Sequence, residues 1–170
     1  MIKTLMTKSS LDAGLLVIRA GLGIQFILHG WPKLMGGPEK WAKLGGVMAN
    51  FGLDFAPSFW GFNAAMAEFG GGLLLILGLL TRPALVFMAF TMFIAGVNHI
   101  MGSMKAPVDP EKPVSALQHY MSGSHALELM IVFIGLLLIG AGRYSLDHML
   151  FASKTPASPA DAGTGQTESD

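Results

Sequence analysis

The stretch Glu68-Phe-Gly-Gly-Gly-Leu-Leu-Leu-Ile-Leu-Gly-Leu-Leu-Thr81-Arg82-Pro83 constrains this chain more than any other. The residues before it, Phe62-Asn-Ala-Ala-Met-Ala67, are small and mostly apolar, so the carboxylate lies well inside an apolar run long enough to cross a bilayer. Hydrocarbon penalises a charge by several kcal/mol. Glu68 therefore needs a partner, a proton or a task. Composition points the same way. Of 170 residues, 52% are apolar and 13% are charged, whereas a soluble domain carries roughly 25% charged residues. Mean hydropathy is +0.54. Such a chain cannot clothe a globule in water-compatible surface. Its length suits one domain. Zero net charge gives no electrostatic basis for binding nucleic acid. The absence of cysteine excludes disulfides, thiolate-held iron–sulfur clusters and dithiol chemistry within this chain.

Four apolar runs of about 20 residues, the length needed to span, predict an all-α membrane four-helix bundle made of two helical hairpins. A polar segment, residues 1–10, precedes the first span at Leu11–Trp31. A basic start before an apolar stretch also fits a secretory signal, but the run is long, contains Arg19 and Gln25, and has no small-x-small cleavage pattern after it. Trp31 suits the interface, and Pro32 limits the helix before it. In the connection 32–60, Trp41, Leu44, Val47, Met48 and Phe51 recur at helical spacing, which predicts an amphipathic helix on the membrane surface, weakened by Gly45-Gly46. The second span is expected at Gly61–Leu80 and the third at Pro83–Met101. A loop over 102–123 carries Pro107, Pro110 and Pro113, and the fourth span is expected at Ser124–Ala141. The membrane domain thus covers 11–150. Residues 151–170, rich in Ser, Thr, Pro, Ala, Gly and acid, read as a disordered tail. Four spans put both termini on one side. Lys3, Lys8, Arg82, Arg143 and Lys154 on that side balance Lys33, Lys40, Lys43, Lys105 and Lys112 on the other. Long loops count for less in the positive-inside rule, which leans the termini to the cytoplasm.

Counting ~1.5 Å per residue along each span places His29, Glu68, His99, His125 and Glu128 in one layer near the side opposite the termini. Arg19 lies nearer the termini side, able to snorkel or to reach a carboxylate. Gln25 shares a face with His29 at i−4. Several readings of the layer stand. His125-Ala-Leu-Glu128 reverses the Glu-x-x-His order of bundle di-metal sites. His29 and His99 could face each other across a haem. Histidine and glutamate could handle protons beside a quinone head group. The same groups, with Asn98, could simply clasp four helices together. A parallel repeat is also suggested. Glu68 precedes Arg82 by 14 residues and Glu128 precedes Arg143 by 15, with Gly-Leu-Leu-Leu-Ile runs in both. Such a repeat would have a pseudo-twofold axis along the membrane normal. The glycines fit close helix approach.

Three groups of residues carry a resemblance: Val17-Ile-Arg19 with Leu28-His29-Gly30 and Lys33-Leu34; Ala67-Glu68-Phe-Gly-Gly with Leu77-Gly-Leu-Leu-Thr81-Arg82; and Gly140-Ala-Gly142-Arg143-Tyr144-Ser145-Leu146-Asp147. Over residues 11–150 the sequence resembles the DoxX family of small four-helix bacterial membrane proteins. The resemblance implies a multi-pass protein of the bacterial inner membrane, a subunit or accessory of a quinone-linked redox or oxidative-stress system, working beside redox partner proteins. It names no catalytic residue, and the long proline-rich loop departs from the family. A non-catalytic scaffold and a small proton or solute carrier are the competing expectations, and a second copy of the chain is a further expected partner.

Overall fold

The computed structural model describes residues 8–106 and 114–151. The expected polar segment falls outside these apart from residues 8–10. So do the expected tail apart from Phe151 and the three loop prolines. The described chain is helical, in the order α1 (Lys8–Leu34), α2 (Gly37–Gly45), a 3-10 turn (Gly46–Phe51), α3 (Pro57–Leu77), α4 (Thr81–Lys105), α5 (Ala116–Ile139) and the short α6 (Leu146–Phe151). Four of these, α1, α3, α4 and α5, are long and apolar enough to cross a membrane.

The helix ends show why the expected boundaries moved. α1 runs through Pro32 to Leu34 rather than stopping before it. Its last carbonyls are taken up from outside the helix: Lys40 Nζ donates to Pro32 O (2.9 Å) and Trp41 Nε1 to Lys33 O (3.0 Å). A cation at a helix C-terminus also complements the macrodipole. α3 ends three residues early, at Leu77, because Gly78 takes the left-handed conformation (φ 63°) that closes a helix, with Leu79 N–H on Leu74 O (3.0 Å). α5 starts at Ala116, two turns before the expected Ser124. Ser115 and Gln118 form a reciprocal capping box there, so the helix projects beyond its apolar span.

The helices pair as two hairpins, α1 on α3 and α4 on α5, with a smaller contact between α3 and α4. Each pair meets at glycines. A Cβ on Gly23 would lie 2.6 Å from Gly72 O, and one on Gly72 2.7 Å from Gly23 O. Gly96 and Gly123 oppose each other in the second pair. Without a hydrophobic drive between helices in lipid, such backbone proximity is what holds spans together. The core draws on all four spans: Phe26, Leu75, Leu85, Met88, Met92, Phe133 and Leu136. Phe26 and Phe133 meet edge to face with centroids 5.0 Å apart. The amphipathic segment docks on α3. Trp41 packs on Phe62 at 5.0 Å, and Gly45 and Gly61 let the two backbones touch. Gly45-Gly46 marks the change from α to 3-10.

Candidate functional site

Glu68 is 4% exposed, and its partner is Lys33 in the last turn of α1. Lys33 Nζ reaches Oε1 at 2.5 Å and Oε2 at 2.6 Å. The helices bring the pair together because Gly30 lies against the backbone of Phe69, which sets the end of α1 beside the middle of α3. Trp31 packs on Phe69 (5.4 Å), and Trp41 holds the carbonyl of Lys33. In the sequence Lys33 stood out only as a charge on the side opposite the termini and as part of the Lys33-Leu34 resemblance. Counting it as a loop charge hid its reach back into the bundle.

A second cluster gathers at the termini end. Arg19 is fully buried. One of its Nη atoms donates to the carbonyl of Tyr144, while Nε and Nη1 have no hydrogen-bond partner. Arg19 lies under the α3–α4 turn, so close to Gly78 that a side chain there would overlap the guanidinium. That turn contains Leu80 in a left-handed conformation (φ 47°), a strained state for leucine. Asp147 grips it. Its Oδ1 accepts from Leu80 N–H (2.8 Å) and its Oδ2 from Thr81 N–H (2.9 Å). Asp147 N–H returns a bond to Gly78 O (2.8 Å). Burial pushes the Asp147 carboxyl up. The Thr81 and Leu80 N–H groups, the neighbouring Thr81 hydroxyl (close, though without hydrogen-bond geometry) and the Arg19 charge outweigh it, and the group ends below its ordinary value. Asp12 of α1 completes the cluster by accepting from Arg143 N–H (2.9 Å). The two most specific runs in the resemblance, Gly-Leu-Leu-Thr-Arg and Gly-Arg-Tyr-Ser-Leu-Asp, thus pack on each other over Arg19.

The remaining candidates face outward. His29, His99, His125 and Glu128 are exposed, as is Gln25. His29 and His99 sit on α1 and α4, which are not packed partners. Asn98 bonds Asn50 Nδ2 (3.3 Å), and Lys105 holds Asn50 from the other side (3.0 Å). His125 and Glu128 share one outer face of α5. Glu68 and Glu128, which the repeat would match, therefore occupy unlike surroundings. Among the described residues no group of three or more His, Asp or Glu is placed to hold a metal ion.

Two hollows accompany these clusters. A groove of about 330 Å³ runs between α3 and α4, walled by Ala67, Gly70, Gly71 and Leu74 on one side and Ala84 and Phe87 on the other, with Asn63 its only polar lining residue. A cavity of about 580 Å³ opens at the termini end beside Asp12, Thr81, Arg82, Arg143 and Asp147.

Fold and clusters together define a small, four-span, all-α membrane protein with the Lys33–Glu68 ion pair inside the bundle and an arginine-centred lock at one end. The chain belongs to the DoxX family: the DoxX profile matches residues 14–99. It is 30% identical over 148 residues to Inner membrane protein YqjF of Escherichia coli (strain K12), covering 82% of this chain and 93% of that one. It is also 30% identical over 145 residues to "Putative oxidoreductase CatD" of Bacillus subtilis (strain 168), covering 85% and 92%. No solved structure matches it.

Proposed function

We propose that this protein is a membrane-embedded accessory subunit of a quinone-linked redox or oxidative-stress system in the bacterial inner membrane, with both termini in the cytoplasm. The groove between α3 and α4 carries the reading. Its volume, about 330 Å³, is at the lower end of small-molecule sites and suits a single ring with the start of an isoprenoid chain. Gly70 and Gly71 leave one wall flat, and Phe87 offers a ring to stack on. Asn63 Nδ2 donates to Phe59 O (2.8 Å). Its second hydrogen remains to bind a quinone carbonyl, and its Oδ1 to accept from a quinol hydroxyl. The quinone would carry the electrons, while this chain binds and orients the ring. The names of the two relatives, "Inner membrane protein YqjF" and "Putative oxidoreductase CatD", support the same reading.

The test is quinone analysis of gently purified protein. Quinone should co-purify above the lipid background, and Gly70→Leu, which meets only the flexible end of Met66 (3.2 Å), should fill the groove and remove it. Quinone at background, or unaltered by Gly70→Leu, sinks the proposal. The scaffold reading is favoured by one observation, the mutual neutralisation of Lys33 and Glu68. If it holds, Glu68→Gln lowers stability and leaves any redox phenotype intact in proportion to the protein that remains.

A further inference from the structure

The geometry points to an anionic head-group site in the 580 Å³ cavity at the termini end, where Arg82 and Arg143 would clasp the phosphate of an anionic phospholipid. Both arginines are exposed and both line the cavity. Neither guanidinium has a hydrogen-bond or ion-pair partner among the described residues. The carboxylates nearby do not compete on equal terms. Both oxygens of Asp147 are held by Leu80 and Thr81 N–H, and Asp12 Oδ1 is held by Arg143 N–H. Arg19, fully buried behind the turn, adds a third guanidinium charge nearby without lining the cavity.

Thr81 also lines the cavity, but it is 1% exposed and its hydroxyl lies against Asp147, which leaves the two arginines as the groups open to a ligand. The N-terminus of α4 is already occupied by Asp147, so the anion would be recognised by side chains. Guanidinium forks match phosphate oxygens in pairs, and basic pockets between spans are a known means of holding lipid head groups. The surroundings favour a lipid source. Leu80, Leu150 and Phe151 are apolar and more than half exposed, a surface that belongs against acyl chains at interface depth.

The experiment uses the full chain in nanodiscs of phosphatidylcholine, with and without phosphatidylglycerol, and counts retained lipids by native mass spectrometry. Wild type should retain phosphatidylglycerol in preference to phosphatidylcholine. The Arg82→Gln/Arg143→Gln pair should bind it about 30-fold more weakly, as the loss of two interfacial cations implies. Arg82→Lys/Arg143→Lys should keep most of the affinity. Displacement by millimolar inorganic phosphate would support the same phosphate site and assign it a soluble source. Salt provides a check that needs no variant, because raised ionic strength must weaken retention by wild type. Equal retention of both lipids, full retention by the Gln pair, or insensitivity to salt overturns the site.

Discussion

Lys33 and Glu68 differ in what each leaves behind when the other is removed. Lys33→Ala strands a carboxylate that is 4% exposed. The loss is about 3 kcal/mol, the lower end of the range for a broken buried pair, because the Lys33 side chain is itself 32% exposed. Glu68→Gln strands an ammonium that can turn towards the interface, so it costs less, about 1–2 kcal/mol. The double variant Lys33→Ala/Glu68→Gln should be more stable than the sum of the single changes by at least about 1 kcal/mol. Unfolding of the four proteins in detergent measures this, and simple additivity would refute the pair. The sequence announced that Glu68 needed something, since a carboxylate in an apolar run is an unbalanced charge wherever it lies. It did not say what. Depth can be counted from the 1.5 Å rise, but azimuth cannot, because a span is apolar on both its lipid face and its core face. His29, His99, His125 and Glu128 share a layer near the side opposite the termini in the count and are exposed in the structure.

At the scale of elements, glycine decides which faces meet. Gly61 lies against the carbonyl of Trp41, and Gly45 against that of Pro57. A methyl group at Gly61 has only backbone to displace. Gly61→Ala should therefore lift α2 from α3 and cost about 1–3 kcal/mol. Gly135 sits mid-helix in α5 with nothing within 4 Å of an added Cβ, so Gly135→Ala should be neutral or stabilising by up to about 1 kcal/mol. Thermal midpoints of the two variants check the contrast, and equal effects would contradict the packing. The four spans and the docked amphipathic segment were legible because bilayer thickness and the 3.6-residue period leave few alternatives. Their ends were not. Ser115 begins α5 through a hydrogen-bonded box with Gln118, in a stretch too polar to be counted as span. The same composition moved the expected start of the span to Ser124.

For the whole molecule, the Asp147 lock joins the first hairpin's exit to the end of the described chain. Asp147→Asn keeps one acceptor oxygen for the turn but loses the charge that faces Arg19, and should cost about 1–3 kcal/mol. The pH dependence follows from the depressed carboxyl of Asp147. Its stabilisation is fully present above the unfolded-state value near 3.9 and is lost as pH falls through the lower folded-state value. The gap between wild type and Asp147→Asn should therefore be constant above about pH 4 and close below it. Melting curves across that interval test this, and a gap that widens on acidification would contradict it. This end of the bundle was half legible. The runs around Thr81 and Arg143 stood out, and Arg19 was expected to snorkel or find a carboxylate. That its direct partner is a carbonyl 125 residues away is a property of the closed bundle, with no local signal.

That separation sets an order of biogenesis. Synthesis delivers Arg19 to the membrane long before Tyr144 and Asp147 exist, so the first span must enter with its guanidinium unanswered by the rest of the chain. Until the last hairpin arrives, that charge can be kept only by lipid head groups, water or the insertion machinery. The bundle seals only once the residues that follow its fourth span, Tyr144 to Asp147, have left the ribosome.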